Sequence, residues 1–396
     1  MSESEIQIEV FGKTDVGLIR EHNEDNLLIA DLGGGFKESS LDEPAKLTLG
    51  ARGALFLVCD GMGGAAAGEV ASQMAVDAVF DSMSSSEPQP HEPFARSLRH
   101  AVEVANDRIF QQSRDNQSER GMGTTCTAAA LVDDTLMVAQ IGDSRCYVFR
   151  SGNLGQVTKD QSLAWQLIEA GAMTAEDAKA FEHANIILQA LGVQDRVDVV
   201  MSQITLRKGD VVLLCSDGLH GPVTDQEIRD ILAADTDLKK AGEGLLQKAL
   251  ERDGPDNITV ILARFDGAGL ADPDPNDTVG FVSYDPGRDP VSASSDSSRS
   301  GTVAAMAAVT ASARLVGETS AAVERAKRKS REMPSGSRSG GNAAKRDRRD
   351  DGPARDGRSV IALFFLVLVA VAVGSVSVLK CERDAASRSE GTARSP

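Results

Sequence analysis

A β-sandwich flanked by helices is the fold class that the sequence predicts, on three observations. Runs of strand length with alternating or continuous apolar character outnumber the helical patterns. Three of those runs follow one another as a meander with short turns. Two helical patterns occur in succession after a glycine cluster near residue 61, where a repeating strand–helix–strand chain would return directly to a strand.

In chain order, "IQIEV" alternates apolar and polar residues and predicts a strand from Ile6 to Val10. "NLLIA" from Asn26 to Ala30 and "LFLVC" from Leu55 to Cys59 are continuous apolar runs, the pattern of strands covered on both faces. Apolar spacing at three and four residues predicts helices from Ala65 to Met83 and from Phe94 to Ser113, with a Ser/Pro/Glu loop at 84–93 between them. The meander comprises Thr125 to Val132, Thr135 to Ile141 and Arg145 to Arg150, turning at "DD" and "GDS". A helix from Ser162 to Ala170, a strand from Val211 to Cys215, helices at Asp225 to Ala233 and near Leu238 to Arg252, and a strand from Ile258 to Phe265 complete the set.

The chain has 396 residues, of which 41% are hydrophobic, enough for one large core or two modest ones. Its charge is uneven. Residues 281–396 hold 19 of the 42 Lys and Arg but 13 of the 59 Asp and Glu, so the first 280 carry twice as many acids as bases. An acidic front disfavours nonspecific nucleic-acid binding, which needs cations to displace counterions, whereas clustered carboxylates suit metal ions. Cys59, Cys126, Cys146, Cys215 and Cys381 lack the paired spacing of zinc sites or disulfide frameworks, and reduced, mostly buried thiols are expected. "MSESEIQIEV" has neither a basic start nor an apolar core, so no signal peptide is expected.

From about Gly267, Pro, Asp, Ser and Gly replace the apolar periodicity, which is linker composition. The Ala-rich stretch 302–332 ends in the basic "RAKRKSR" and has no clear apolar face. "SVIALFFLVLVAVAVGSVSVL", Ser359 to Leu379, carries no charge. As a helix it would span about 30 Å, the thickness of a bilayer's hydrocarbon core. Lys and Arg are denser before it than after it, which places its N-terminal side in the cytoplasm.

"ALFLVCDGMGGAAAGEVAS" runs from a strand through glycines to a helix. Gly61, Gly63 and Ala66 have dinucleotide-fingerprint spacing, and Asp81 stands about where a ribose-binding acid would, so a nucleotide cradle and a metal ligand at Asp60 are both open readings. Three further places set an aspartate against a strand end and a turn: Asp143 in "VAQIGDSR", Asp217 in "DVVLLCSDGLHG" and Asp256 in "GPDNITVILARF". One Asp before Gly is ordinary turn chemistry. Four at strand ends suggest one rim, where unpaired carboxylates repel and require cations, and an all-aspartate set suits Mg²⁺ or Mn²⁺ better than zinc. "TDVGLIREHNEDNLLIA" adds Arg20, Asn23, Glu24 and Asp25, with Arg20 a candidate fork for phosphate oxygens.

The ordered set "RxxNED", "DGMGG", "GMGTT", "GDSR", "CSDGL" and "DNIT" resembles the metal-dependent type 2C serine/threonine protein phosphatases in their bacterial form, over about residues 6–266. The resemblance implies an α+β fold, a four-layer αββα sandwich of two antiparallel sheets flanked by helices. It implies that Asp60 bridges two core metals, that the Gly61 carbonyl binds the second, and that Asp217 and Asp256 complete the first. Asp25 is implied to reach the second metal through water, Asp143 with Asp217 to form a third site, and Arg20 to bind phosphate. Catalysis is thus expected from Arg20, Asp60 and Asp217, by a water activated between two Mn²⁺ or Mg²⁺ ions, without a covalent phosphoenzyme. Gly123, Thr124 and Thr125 are expected to shape a turn.

Met62 replaces a histidine that many eukaryotic relatives carry as proposed general acid, leaving that role unassigned. The flap before Asp217 has Gln161 where histidine is frequent, and "HANIILQALG" lacks a usual Thr and Arg; His183 within it is read as incidental. The expected organisation is a catalytic domain at 1–266, a largely disordered linker with a basic juxtamembrane part at 267–358, one transmembrane helix at 359–379 and a short extracytoplasmic tail at 380–396. Expected partners are the membrane and phosphorylated Ser/Thr proteins, among them membrane-associated kinases and their substrates, with no nucleic acid. The enzyme is thus expected on the cell membrane, single-pass, its catalytic domain cytoplasmic. Competing readings are an inactive membrane-tethered docking domain, a Rossmann-type nucleotide binder, and a hydrolase using Ser144 or Ser216, neither of which lies in a G-x-S-x-G elbow.

Overall fold

The computed structural model describes residues 5–63, 67–174, 177–178, 181, 186–274 and 277–286. All of them belong to the first of the chain's two compact units, Met1–Gly317. Among the described residues no helix is long and apolar enough to cross a membrane; the 302–332 stretch, the 359–379 run and the tail beyond it lie outside them.

Two antiparallel sheets form the centre. The first contains β1 (Ile6–Asp15), β4 (Ala45–Thr48), β9 (Arg145–Arg150), β10 (Asn153–Gln156), β12 (Val211–Cys215) and β13 (Ile258–Gly267), in the order β10-β9-β12-β13-β1-β4. The second contains β2 (Asp25–Asp31), β3 (Lys37–Glu38), β5 (Ala54–Met62), β7 (Cys126–Val132), β8 (Thr135–Ile141) and β11 (Val200–Thr205), in the order β11-β8-β7-β5-β2-β3. The short β6 (Gly123–Thr124) pairs with the end of β5. Helices α1 (Ala67–Ser84) and α2 (His91–Asp115) cover the second sheet, and α4 (Asp217–His220), α5 (Asp225–Ala234) and α6 (Leu238–Leu250) cover the first. A further helix, α3 (Leu163–Glu169), follows β10.

The continuous apolar runs follow from this layering, because both faces of each central strand are buried. Along β5, Leu55, Leu57 and Cys59 join the core beneath α1 and α2, while Ala54, Phe56 and Val58 join the core between the sheets. Along β12, Val211, Leu213 and Cys215 face the helices, while Val212 and Leu214 face inward. Successive side chains alternate in direction, so one strand contributes to two cores. Phe56 and Phe265, one from each sheet, meet edge to face across the inner core with centroids 6.2 Å apart. The four layers therefore enclose three apolar cores.

The eight expected strands and five expected helices all exist. Unforeseen are β3, β4, β6, β10 and β11, short or half-polar segments at sheet edges or turns, whose periodicity is too brief to register. The meander turns as expected, with Asp133 at φ 50° in the β7–β8 turn and Gly142 at φ 94° after β8. Every strand pair is antiparallel, and α1 leads into α2, so the strand–helix–strand unit required by the nucleotide reading is absent from the described fold.

The chain does not leave the domain at residue 266. Leu270 is buried, Asp277 pairs with Arg207 at 2.8 Å and with Arg150 at 3.5 Å, and the edge of β11 is extended by Gln203 N–H to Val282 O and Tyr284 N–H to Met201 O. Ordered packing thus continues to about 286, carried by polar and main-chain contacts that leave no hydrophobic period. A Leu270→Ala substitution, which deletes buried methyl groups, is expected to cost about 2–4 kcal/mol. Calorimetry should register that as a melting point about 5–10 °C lower; an unchanged midpoint would show that this strap adds nothing.

Candidate metal centre

The same alternation that fills the inner core brings acids to its end. In β5 the inward positions 54, 56 and 58 lead to Asp60; in β2, Leu27 and Ile29 face inward, and so does the position of Asp25. The register pairs Asp25 directly with Asp60. Asp217 begins α4 immediately beyond β12, Asp256 lies two residues before β13, and Asp143 occupies the β8–β9 turn. Asp25, Asp60, Asp143, Asp217 and Asp256, from five separate segments, gather at one rim of the sandwich.

Close backbone approach makes this possible. A Cβ at Gly61 would lie 2.2 Å from Gly68 O and 2.6 Å from Glu24 O, and one at Gly218 would lie 1.9 Å from Asn257 O. Only glycine fits either place. Gly123, Thr124 and Thr125 form the turn expected of them and also hold β5. Thr124 Oγ1 and Thr125 N both donate to Asp60 O, at 2.9 and 2.8 Å, and Asp60 N donates to Thr125 Oγ1 at 2.9 Å.

Electrostatically the rim is crowded. Burial, reinforced by Asp217 and Asp256, pushes Asp25 up to about 7, although its Oδ2 accepts hydrogen bonds from Thr259 at 2.6 Å and Ser216 at 2.7 Å. Burial and then Asp217 push Asp143 up to about 8. Asp60 is raised well above the ordinary carboxylate range by burial and by Asp25, Asp217, Asp143 and Asp256. Asp217 is raised by burial and Asp256, against a hydrogen bond shared with Asp60. One oxygen each of Asp25, Asp143 and Asp217 is buried with no hydrogen-bond partner among the described residues. Buried acceptors left open beside like charges are what a bound cation relieves.

That donor set fits oxygen-seeking divalent ions. Among the described residues no three His, Cys, Asp or Glu side chains already form one coordination sphere; Mg²⁺-type sites keep several waters and take only one or two carboxylates per ion. Asp60, Asp217 and Asp256 would hold one ion, and Asp60 with the Gly61 carbonyl a second. Asp25 is buried opposite Asp60 in the β2–β5 register, and Asp143 with Asp217 would hold a further ion.

Arg20 Nη2 reaches Asp256 Oδ2 at 2.7 Å from the exposed loop after β1. Asn257 braces that loop: its Oδ1 accepts from Glu24 N at 2.8 Å, and its Nδ2 donates to Val16 O and His22 O, both at 2.9 Å. Sequence reasoning assigned no role to Asn257, Thr259 or His220, whose Nε2 meets Asp143 O at 3.0 Å, and weighed Ser216 only as a competing nucleophile. Their only signal was position, since each lies within three residues of a singled-out aspartate.

Ser144 and Ser216 are fully buried and committed, Ser144 to Thr125 Oγ1 at 2.8 Å and Ser216 to Asp25. Neither is placed as a nucleophile. Gln161 ties the flap to the Asp143 turn, accepting from Gly142 N at 2.8 Å and donating its own N–H to Gly142 O at 2.9 Å. His183 lies outside the described residues.

Ionised, the rim carboxylates repel; protonated, they do not. An unfolded aspartate titrates near 3.8, whereas Asp25 and Asp143 titrate at about 7 and about 8 in the fold. Their stabilising share is full below the unfolded value and is lost as pH rises through the folded ones. In chelator, the protein should therefore melt higher at pH 5 than at pH 8, with Asp25→Asn narrowing the gap and Mn²⁺ restoring the midpoint at pH 8. A chelated midpoint that climbs over this interval would contradict the assignment.

Comparisons with known proteins agree with this geometry. The sequence matches the Protein phosphatase 2C family model over residues 42–259. It is 36% identical over 251 residues to the serine/threonine phosphatase stp of Listeria welshimeri, an alignment covering 63% of this chain and 93% of that protein. With the protein phosphatase PhpP of Streptococcus pneumoniae it shares 39% identity over 212 residues, 52% of this chain and 84% of the other. Among solved structures, the Mycobacterium tuberculosis serine/threonine phosphatase PstP/Ppp superposes with a TM-score of 0.56 at 33% identity, covering 66% of this chain and 99% of that one. The PstP catalytic domain in complex with two manganese ions superposes with a TM-score of 0.55 at 32% identity, with the same coverage. The layered fold, the rim of aspartates and these likenesses together show that the chain belongs to the protein phosphatase 2C family.

Proposed function

We propose that this chain removes phosphate from phosphoserine and phosphothreonine of cytoplasmic proteins while tethered to a membrane. It is a protein-serine/threonine phosphatase dependent on Mn²⁺ or Mg²⁺. The observation that carries the reading is the convergence of Asp25, Asp60, Asp143 and Asp217 beside the Arg20–Asp256 pair at one rim.

Bound divalent ions would supply Lewis acidity toward the phosphate and a water acidic enough to attack phosphorus. The protein's own groups do the rest. Asp60, Asp217, Asp256 and the Gly61 carbonyl would hold the ions, with Asp25 buried opposite Asp60 and Asp143 close enough to Asp217 for their charges to interact. Asp60 is held at its main chain by Thr124 and Thr125, so its carboxylate is placed before substrate arrives. Arg20, half-exposed at the mouth, presents a planar fork to two phosphate oxygens and opposes charge that grows as phosphorus is attacked. Its pairing with Asp256 aims the guanidinium at the rim. Met62 has no proton to give, so it takes no part in protonating the leaving alkoxide.

Membrane tethering rests on the uncharged run 359–379 and on the basic residues before it, which favour a cytoplasmic catalytic domain. Confinement to a membrane surface raises the local concentration of membrane-bound kinases and their substrates. An inactive docking domain of the same fold is the alternative, and retention of all five rim aspartates with Arg20 speaks against it.

The test is phosphate release from a phosphothreonine peptide with Mn²⁺. Asp60→Asn and Asp217→Asn are each expected to lower kcat by at least about 10³-fold with the fold retained by circular dichroism. Full activity in both variants would remove the ligand assignment, and an inactive wild type, folded and Mn²⁺-loaded, would favour the docking domain.

A further inference from the structure

Among the described residues, five of the large apolar side chains that stand exposed sit on the two segments bordering the rim. Val16, Leu18 and Ile19 lie on the loop that ends in Arg20, and Leu188 and Val193 lie at the end of the flap. Leu18 and Ile19 are 65% and 68% exposed, Val193 51%. Single exposed apolar residues are unremarkable, but two groups of them bordering one functional mouth mark an interaction surface.

These side chains are not outward for want of order. Gly17 takes φ +78° and donates to Asp15 Oδ1 at 2.8 Å, Leu18 N donates to Gly254 O at 2.9 Å, and Asn257 holds the carbonyl of Val16. The loop main chain is pinned at Val16, Gly17 and Leu18, while the side chains of Leu18 and Ile19 stand in water. Across the rim, Leu191 exchanges both main-chain hydrogen bonds with Thr124, at 3.1 and 2.8 Å, and Gly192 N–H donates to Asn106 Oδ1 at 2.9 Å. Val193 lies against β6, where a Cβ on Gly123 would come within 2.8 Å of its methyl. Leu188 N–H donates to Gln161 O at 2.8 Å, and Gln161 in turn holds the Asp143 turn. Two fixed apolar lips therefore flank one carboxylate-lined mouth.

We propose that these lips bind the residues on either side of the phosphorylated Ser or Thr, and that this enzyme prefers phosphosites flanked by bulky apolar side chains. The inference rests on the phosphatase reading and specifies its substrate. An extended peptide advances about 3.3–3.6 Å per residue, so with the phosphate at Arg20, residues one or two positions away meet Leu18 and Ile19. The opposite arm of the peptide crosses toward Val193 and Leu188. Because the lips are preorganised, apolar contact is gained without ordering the loop. Polar flanking residues would leave the two leucines, Ile19 and the valines in water.

The test compares two phosphothreonine peptides identical except for the two residues on each side, Leu and Ile in one, Ser and Gln in the other, using the full chain with Mn²⁺. The wild type is expected to favour the apolar peptide about tenfold in kcat/KM, mostly through KM, in the range that small apolar contacts supply. Leu18→Ser with Ile19→Ser, which removes one of the two lips, should cut that ratio to about threefold, whereas Leu18→Met with Ile19→Val should keep it. A wild type that does not discriminate, or a serine double variant that discriminates as strongly as the wild type, overturns the proposal. So does a serine variant whose only defect appears when phosphatidylcholine vesicles are added, which would assign the lips to a lipid surface. If the wild type, folded and Mn²⁺-loaded, turns over neither peptide nor p-nitrophenyl phosphate, the phosphatase reading itself fails and the inference falls with it.

Discussion

Several carboxylates buried side by side form the constraint on which the rest of this domain depends. Asp25, Asp60, Asp143 and Asp217 are all raised above their ordinary value, with burial as the leading cause and the charges of neighbouring rim aspartates, Asp256 among them, behind it. Such an arrangement is unfavourable by itself. It persists because a large apolar structure, with three cores between four layers, over-determines the positions of the strands that deliver it. The neutral groups nearest the acids are chosen to donate, and Ser216 and Thr259 both give hydrogen bonds to the same oxygen of Asp25.

Register is what links packing to chemistry. Phe56 and Val58 face the inner core, so Asp60 must emerge at its end, and Leu27 and Ile29 place Asp25 opposite it. A slip of one residue in either strand would turn its acid toward the helices and its core residues toward the wrong layer. The apolar pattern and the site are therefore specified together. Gly61 and Gly218 serve the same end by letting main chain pass where any side chain would collide.

Around this centre, Arg20 and the exposed apolar side chains are carried by loops. Arg20 and the apolar side chains before it ride on a loop braced by Asn257, and the flap is tied to the Asp143 turn through Gln161. Strand ends and the turns beside them hold the acids, while loops hold Arg20 and the exposed apolar side chains, a division common where one scaffold serves many substrates. Residues 267–274 and 277–286 add a further brace, through main-chain bonds along β11 and the Asp277 pairs.

The elements with long, strong apolar periods were readable from the chain: β5, β7, β8, β9, β12 and β13, and the helices that cover them. So were the aspartates at their ends and the arginine ahead of them, because acids at strand termini interrupt an otherwise unbroken apolar run. Edge strands such as β10 and β11 were not readable, since they are short, half-polar, and stable only because a neighbour supplies hydrogen bonds. Nor did the linear order tell that Thr259 and Ser216 serve Asp25, separated from it by 234 and 191 positions. Sequence carries which residues can be buried and which must turn. Only the closed sandwich decides which distant strand ends share a rim, because that choice depends on the register and stacking of whole sheets.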